Sequence, residues 1–151
     1  MKYSFSLTPN VSQRHKVERL EDALARLPQA ECPTRSLFAP GVYAREMTVP
    51  KDVTATGAVH KTEHMTIVVG HCLLTTDEGV TEINGFANIV SKPGAKRAIY
   101  AIEETIVTTI HPTDETDVDK LCELLTESTA AELLGGPKNK QLLSQRSEVL
   151  K

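Results

Sequence analysis

The chain has no tryptophan and only three tyrosines and three phenylalanines among its 151 residues. A base-stacking platform for single-stranded nucleic acid needs aromatic faces, and this sequence has few to offer. An excess of positive charge is missing too. Seventeen Lys and Arg against 20 Asp and Glu leave a net charge of −3, whereas binding a phosphate backbone needs clustered positive charge. Cysteine is scarce: Cys32, Cys72 and Cys122 are odd in number, widely spaced and form no C-x-x-C pair. They read as buried or free thiols in a reducing cytosol, with a structural role. No apolar run approaches the roughly 18 residues of a membrane helix, and the opening Met1-Lys2-Tyr3-Ser4-Phe5-Ser6-Leu7 is too short and polar for a signal peptide. A cytoplasmic protein of one domain is the expectation. Phosphate loops of the G-x-x-x-x-G-K-[ST] or G-x-G-x-x-G type, the G-x-S-x-G nucleophile elbow and internal repeats are all missing from the sequence.

What is present falls into three segments, 1–36, 37–112 and 113–151. After Ser12, Val17, Leu20, Leu24 and Leu27 recur at helical spacing, and Pro28 closes the stretch. This predicts an amphipathic helix of about a dozen residues, packed outside a barrel or on a second copy, with its charges solvated. From Leu37 to Ile110 the texture changes to short β-prone runs: 42–49, 65–69, 71–76, 80–83, 87–90, 97–102 and 105–110. Turn signals separate them at Pro50-Lys51-Asp52, Asp77-Glu78-Gly79, Asn84-Gly85, Pro93-Gly94 and Glu103-Glu104. Many strands at short intervals predict an antiparallel sandwich or small barrel. Beyond His111-Pro112, acidic Asp114, Glu115 and Asp117 precede an apolar stripe of Val118, Leu121, Leu124 and Leu125, the pattern of a helix N-terminus. A further helical piece over 130–134 ends at Gly135-Gly136-Pro137, and the polar tail from Lys138 reads equally as helix or disordered arm.

The chemistry concentrates in His60-Lys61-Thr62-Glu63-His64, at the head of the run Met65 to Val69 that stops at Gly70. If Met65, Ile67 and Val69 point into the barrel, Glu63 shares their face and His64 points out. Glu63 and His60 then form an N,O pair suited to a divalent metal, or a hydrogen bond that only ties down the strand end. His111 shares a face with Thr109 and Val107, and is the candidate third ligand if that face lines the cavity.

His-x-x-Glu-His followed by a β run and glycine resembles the first motif of the cupin superfamily, in a variant close to that of type II phosphomannose isomerases. The second motif is similar where Gly85 leads into Ser91-Lys92-Pro93-Gly94. Longer stretches, among them Phe38-Ala39-Pro40-Gly41-Val42-Tyr43 and Thr109-Ile110-His111-Pro112-Thr113, resemble small cupin-like proteins of phage and prophage genomes. The resemblance implies a single cupin-like antiparallel β-barrel (jelly roll) with an N-terminal helix and a C-terminal helical extension, as a homo-oligomer. A phage origin would place it in the host cytoplasm.

The resemblance also puts His60 and Glu63 at two of four metal-ligand positions. The other two fall on Ala58, which has no ligand atom, and on Arg97. A permanent cation at Arg97 would repel a metal but would grip a carboxylate or phosphate bidentately. Alternatively it pairs with Glu63 as a structural ion pair. Tyr43 and Arg45 share a strand face and are candidates to line the same cavity, while Lys92 and Lys96 read as solvated surface.

Three functions follow as expectations. One is a binding module taking a small anionic ligand through Arg97, Arg45, Tyr43, His60 and Glu63, with a nucleotide-like signal of host defence as a conceivable ligand to sequester. The second is a metal-dependent isomerase, sugar-modifying enzyme or dioxygenase with zinc, iron, manganese or nickel at His60, Glu63 and His111. The third is a protein-interaction module with a filled barrel.

Overall fold

The computed structural model describes residues 2–7, 11–76 and 79–128. Ten elements follow in chain order: β1 (Lys2–Leu7), α1 (Val11–Leu24), β2 (Thr34–Ala39), β3 (Val42–Val49), β4 (Thr54–Thr56), β5 (His64–Thr76), β6 (Gly79–Ser91), β7 (Ala98–Ala101), β8 (Thr105–Pro112) and α2 (Val118–Leu125). The strands form one curled, mainly antiparallel sheet in the order β1-β6-β5-β8-β3-β2, with β7 bridging β4 and β5. This is the mainly β barrel that the spacing of turns predicts, consistent with a cupin jelly roll. β1 adds an unanticipated strand, parallel to β6.

The long β5–β6 hairpin organises the rest. Runs 65–69 and 71–76 are one strand, because Gly70 bends the chain without ending it. Gly70 faces Gly85 across the ladder, and both take positive φ, 145° and 116°. A Cβ on Gly70 would lie 2.5 Å from Thr105 Oγ1 and 2.8 Å from the Glu104 carbonyl oxygen, so only glycine fits. Asn84-Gly85 is therefore a bend inside β6, not the expected turn. Before the bend β5 pairs with β8 through Met65–Val69; after it, Cys72–Leu74 pair with β7. One strand thereby serves two walls of the barrel, as glycine kinks allow in curved sheets.

The core lies below this bend, where Val49, Val68, Cys72, Leu74, Ile83 and Ile89 are buried together. Each of the aliphatic side chains among these contributes roughly 1.5–3 kcal/mol by burial. α1 carries Val17 into the interior, but Leu20 and Leu27 stay exposed, so only part of its apolar stripe packs. Its polar face is less solvated than its charges suggest. Glu21 accepts from Thr56 Oγ1 at 2.6 Å and pairs with Lys96 at 2.9 Å. Lys96, expected on the surface, is nearly buried by that contact. α2 starts at Asp117, whose carboxylate accepts from the Asp119 and Lys120 amides. It buries Leu121, Cys122 and Leu125, leaving Leu124 exposed. The three cysteines are free, as expected, with Cys72 and Cys122 buried. The helical piece over 130–134 and the tail from Lys138 lie outside the described residues.

Candidate metal and anion site

Register stacks the inward side chains of β3, β8 and β5 in layers. Tyr43 faces His111; Arg45 faces Thr109, which faces Thr66; Met47 faces Val107, which faces Val68; Val49 faces Thr105. The inner wall thus runs from imidazole, through guanidinium and hydroxyl, to hydrocarbon. The cavity it encloses is about 500 Å³, within the range of small-molecule sites. The barrel is not filled by its own side chains, which removes the observation that would have favoured an interaction module.

The parity expected for β5 is reversed. His64, Thr66 and Val68 are buried and face inward, while Met65 and Val69 are 41% and 45% exposed. Glu63 consequently lies at the surface, where its carboxylate takes Lys92 Nζ at 2.6 Å. It is neither beside His60 as a ligand nor paired with Arg97. The reason is electrostatic: an unpaired carboxylate carries a full charge that is costly to bury, whereas imidazole enters in its neutral form at a smaller cost. The signal that could have set the parity lies beyond Gly70. Cys72 and Leu74 are the buried members of that half, and their even-numbered face carries back through Val68 and Thr66 to His64.

His60, His64 and His111 converge, with their ligand-capable atoms all within 4.8 Å of one another. Ring centroids are 4.2 Å apart for His60–His64, 4.6 Å for His64–His111 and 5.2 Å for His60–His111. Each is placed by different chain. His64 opens β5, and His111 stands near the end of β8 with Tyr43 stacked at 6.0 Å. Tyr43 OH is shared with Ser36 Oγ at 3.2 Å, so this ring buttresses His111.

His60 precedes β5 and is clamped from both sides. Its carbonyl oxygen accepts from the Gly94 amide, while the neighbouring Lys61 and Val59 bond to Leu125 at the end of α2 and to Glu127 just beyond it. Sequence spacing gave no hint of that clamp, since Thr126, the bridge partner of His60, is 66 positions away.

All three imidazoles are held neutral. Burial is the main cause, pushing His60 down to about 2 and His111 down to about 4; repulsion from the neighbouring rings and arginines adds to it. His64 is lowered mainly by burial and secondarily by Arg97, against the opposing pull of the Thr62 carbonyl. In the neutral ring, Nδ1 of His64 donates to that carbonyl at 3.0 Å, which leaves the Nε2 lone pair free. Nε2 of His64 and Nδ1 of His111 are both buried with no hydrogen-bond partner. Buried polar atoms are rarely left so.

Arg97 stands beside this cluster. Its Nη2 donates to Thr66 Oγ1 at 2.9 Å, and its Nη1 is buried without a partner. Burial pulls the guanidinium down to about 10, still charged at neutral pH. Arg45 lines the same cavity from β3. The structure therefore places Arg97, Arg45, Tyr43, His60 and His111 around one cavity, with His64 in the imidazole cluster and Thr66 on Arg97, and leaves out Glu63.

No protein-family model matches the chain, and no curated protein matches it. Among solved structures it is similar to a cupin superfamily protein from Desulfitobacterium hafniense, at 10% identity over 61% of this chain and 86% of that one, with a TM-score of 0.47. It is also similar to the cupin domain of an XRE family transcriptional regulator from Enterobacter cloacae, at 11% identity, 54% and 97% coverage and a TM-score of 0.45. A cupin-2 domain protein from Shewanella frigidimarina aligns at 16% identity, 67% and 99% coverage and a TM-score of 0.43. At these identities and scores the likenesses assign no residue a role.

Proposed function

We propose that this protein is a metal-dependent small-molecule barrel, in which His60, His64 and His111 hold a divalent transition metal and Arg97 with Arg45 hold an anionic ligand beside it. The observation that carries the reading is the pair of orphaned ring nitrogens, His64 Nε2 and His111 Nδ1, inside a three-histidine cluster of neutral rings. Three protein ligands with open positions are the usual provision of a catalytic metal site, and imidazole suits zinc, iron, manganese or nickel. When bound, the metal supplies Lewis acidity to an oxygen of the ligand or of water.

The chain's own residues do the rest. The Thr62 carbonyl fixes the His64 tautomer, as outer hydrogen bonds do for ligating histidines. Arg97 and Arg45 would repel a bare cation, so an anion between metal and guanidinium relieves both charges. Metal and anion should accordingly bind with positive coupling. Thr66 orients Arg97 and leaves Nη1 free for the ligand.

Elemental analysis and native mass spectrometry of protein grown in metal-supplemented medium test the reading. One zinc, iron, manganese or nickel per chain, lost in His111→Ala, is the expected result. Protein that is metal-free under those conditions contradicts the metal half. A second reading, anion sequestration without metal, draws on the free Nη1 of Arg97. Sequestration of a nucleotide-like host signal is its most specific form. Adenosine monophosphate binding to metal-free protein, lost in Arg97→Ala, would favour it; unchanged affinity in that variant would exclude it.

A further inference from the structure

The cavity does not end at the histidines and arginines. Below the Arg45–Thr109–Thr66 layer the wall turns to Met47, Val107 and Val68, and Leu74 and Ile99 also line the space. The end of α1 contributes Leu24, and the segment after it Ala25, Leu27 and Pro28. Exposure along the lining is uneven. Ala25, Leu27, Pro28 and Ala30 are exposed, whereas Leu121, Cys122, Leu125 and Thr126, which line it from α2, are buried. The cavity therefore meets solvent past a largely apolar rim that also carries exposed Asp52, and its imidazole end is closed over by α2. Arg97 Nη1, buried and unpartnered, is the fixed positive group within.

We infer that the ligand is an amphipathic monoanion: a single carboxylate at Arg97 and the histidine cluster, carrying a compact alkyl or aryl body in the Met47–Val107–Val68 compartment. The inference rests on the anion-binding reading above and deepens it. Two arginines and one metal ion suffice for one acidic group, and the other charged residue of the lining, exposed Asp52, would repel a second. An apolar body removes the Met47, Val107 and Leu27 surfaces from water, while the acid satisfies Nη1. Size follows from the cavity of about 500 Å³, which bounds the ligand to a small molecule.

Isothermal titration of the zinc-loaded protein with acetate, butyrate, hexanoate, phenylacetate, hexanamide and inorganic phosphate tests this. Affinity should rise about fourfold for each added methylene from acetate to hexanoate. Hexanamide should bind at least about tenfold more weakly than hexanoate, from loss of the charge-assisted bond. Arg97→Gln should bring acid and amide together, and Arg45→Gln serves if that variant does not fold. Met47→Gln should flatten the chain-length series while leaving acetate unchanged. Equal binding of acetate and hexanoate, or tighter binding of phosphate than of hexanoate, overturns the inference and leaves the anion site standing. Failure of every carboxylate and of phosphate to bind zinc-loaded protein overturns the anion reading itself, and this inference with it.

Discussion

The two halves of β5, either side of Gly70, obey opposite rules. In His71–Thr76 the inward residues are Cys72 and Leu74, apolar and buried, while outward His71 hydrogen-bonds Glu82 at 2.7 Å. In His64–Val69 two of the three inward residues, His64 and Thr66, are polar and only Val68 is apolar, while Met65, Ile67 and Val69 face outward. The first pattern is the ordinary exchange of hydrocarbon for water. The second turns polar groups inward, and it holds because each is neutral or directly bonded: His64 to Thr62, Thr66 to Arg97. A strand half that buries polarity in place of available hydrocarbon is spending stability on a site.

Substitutions should therefore separate along the strand. Gly70→Ala strikes the junction and should cost the most, about 4 kcal/mol, by adding a clash with Thr105 and Glu104 to a positive-φ strain. Urea denaturation should show that loss, and a change below about 1 kcal/mol would mean that the bend is not imposed by glycine. His64→Ala should weaken metal binding by more than about a hundredfold, beyond what loss of an outer hydrogen-bond partner costs, in competition with a chelator.

Acidification sharpens the contrast in a graded way. His60 and His111 are lowered in the fold below the ordinary 6.5, to about 2 and about 4. Between those values and 6.5 the unfolded chain binds more protons than the folded one. Stability is thus full above pH 6.5 and falls as pH drops toward 4. Metal-free protein should melt lower at pH 4.5 than at pH 7.5, and His111→Gln should show a smaller drop. Equal drops would place the acid sensitivity elsewhere, in the carboxylates.

Ile83→Val, in the apolar core shared by the second half, should cost about 1 kcal/mol and leave metal affinity unchanged. Smallest of all, Glu63→Gln breaks one half-exposed ion pair with Lys92. It should change stability by less than about 1 kcal/mol and metal binding not at all.

That last expectation marks where the sequence was legible and where it was not. Strand and turn spacing located β3 to the residue, the β5–β6 runs, β8 and α2, because an apolar core imposes its period on the chain. The shared face of Tyr43, Arg45 and Met47 on β3, and of Val107, Thr109 and His111 on β8, was legible too, and the structure shows that both line the barrel. Parity failed on His64–Val69, where Met65, Ile67 and Val69 face out and Val68 alone of the apolar residues faces in. Nothing within the motif itself distinguished inward His64 from surface-bound Glu63. Resemblance favoured Glu63; the choice was made by Lys92 across the hairpin and by His111 from another strand. The clamp on His60 by the chain after α2 was beyond any local pattern.

The most direct test of the three-histidine centre is a cobalt(II) titration followed by visible absorption, on wild type, Glu63→Gln and His64→Ala. Saturation at one cobalt per chain is expected in the first two, with no comparable spectrum in the third. Binding that survives His64→Ala but is lost in Glu63→Gln would contradict that centre.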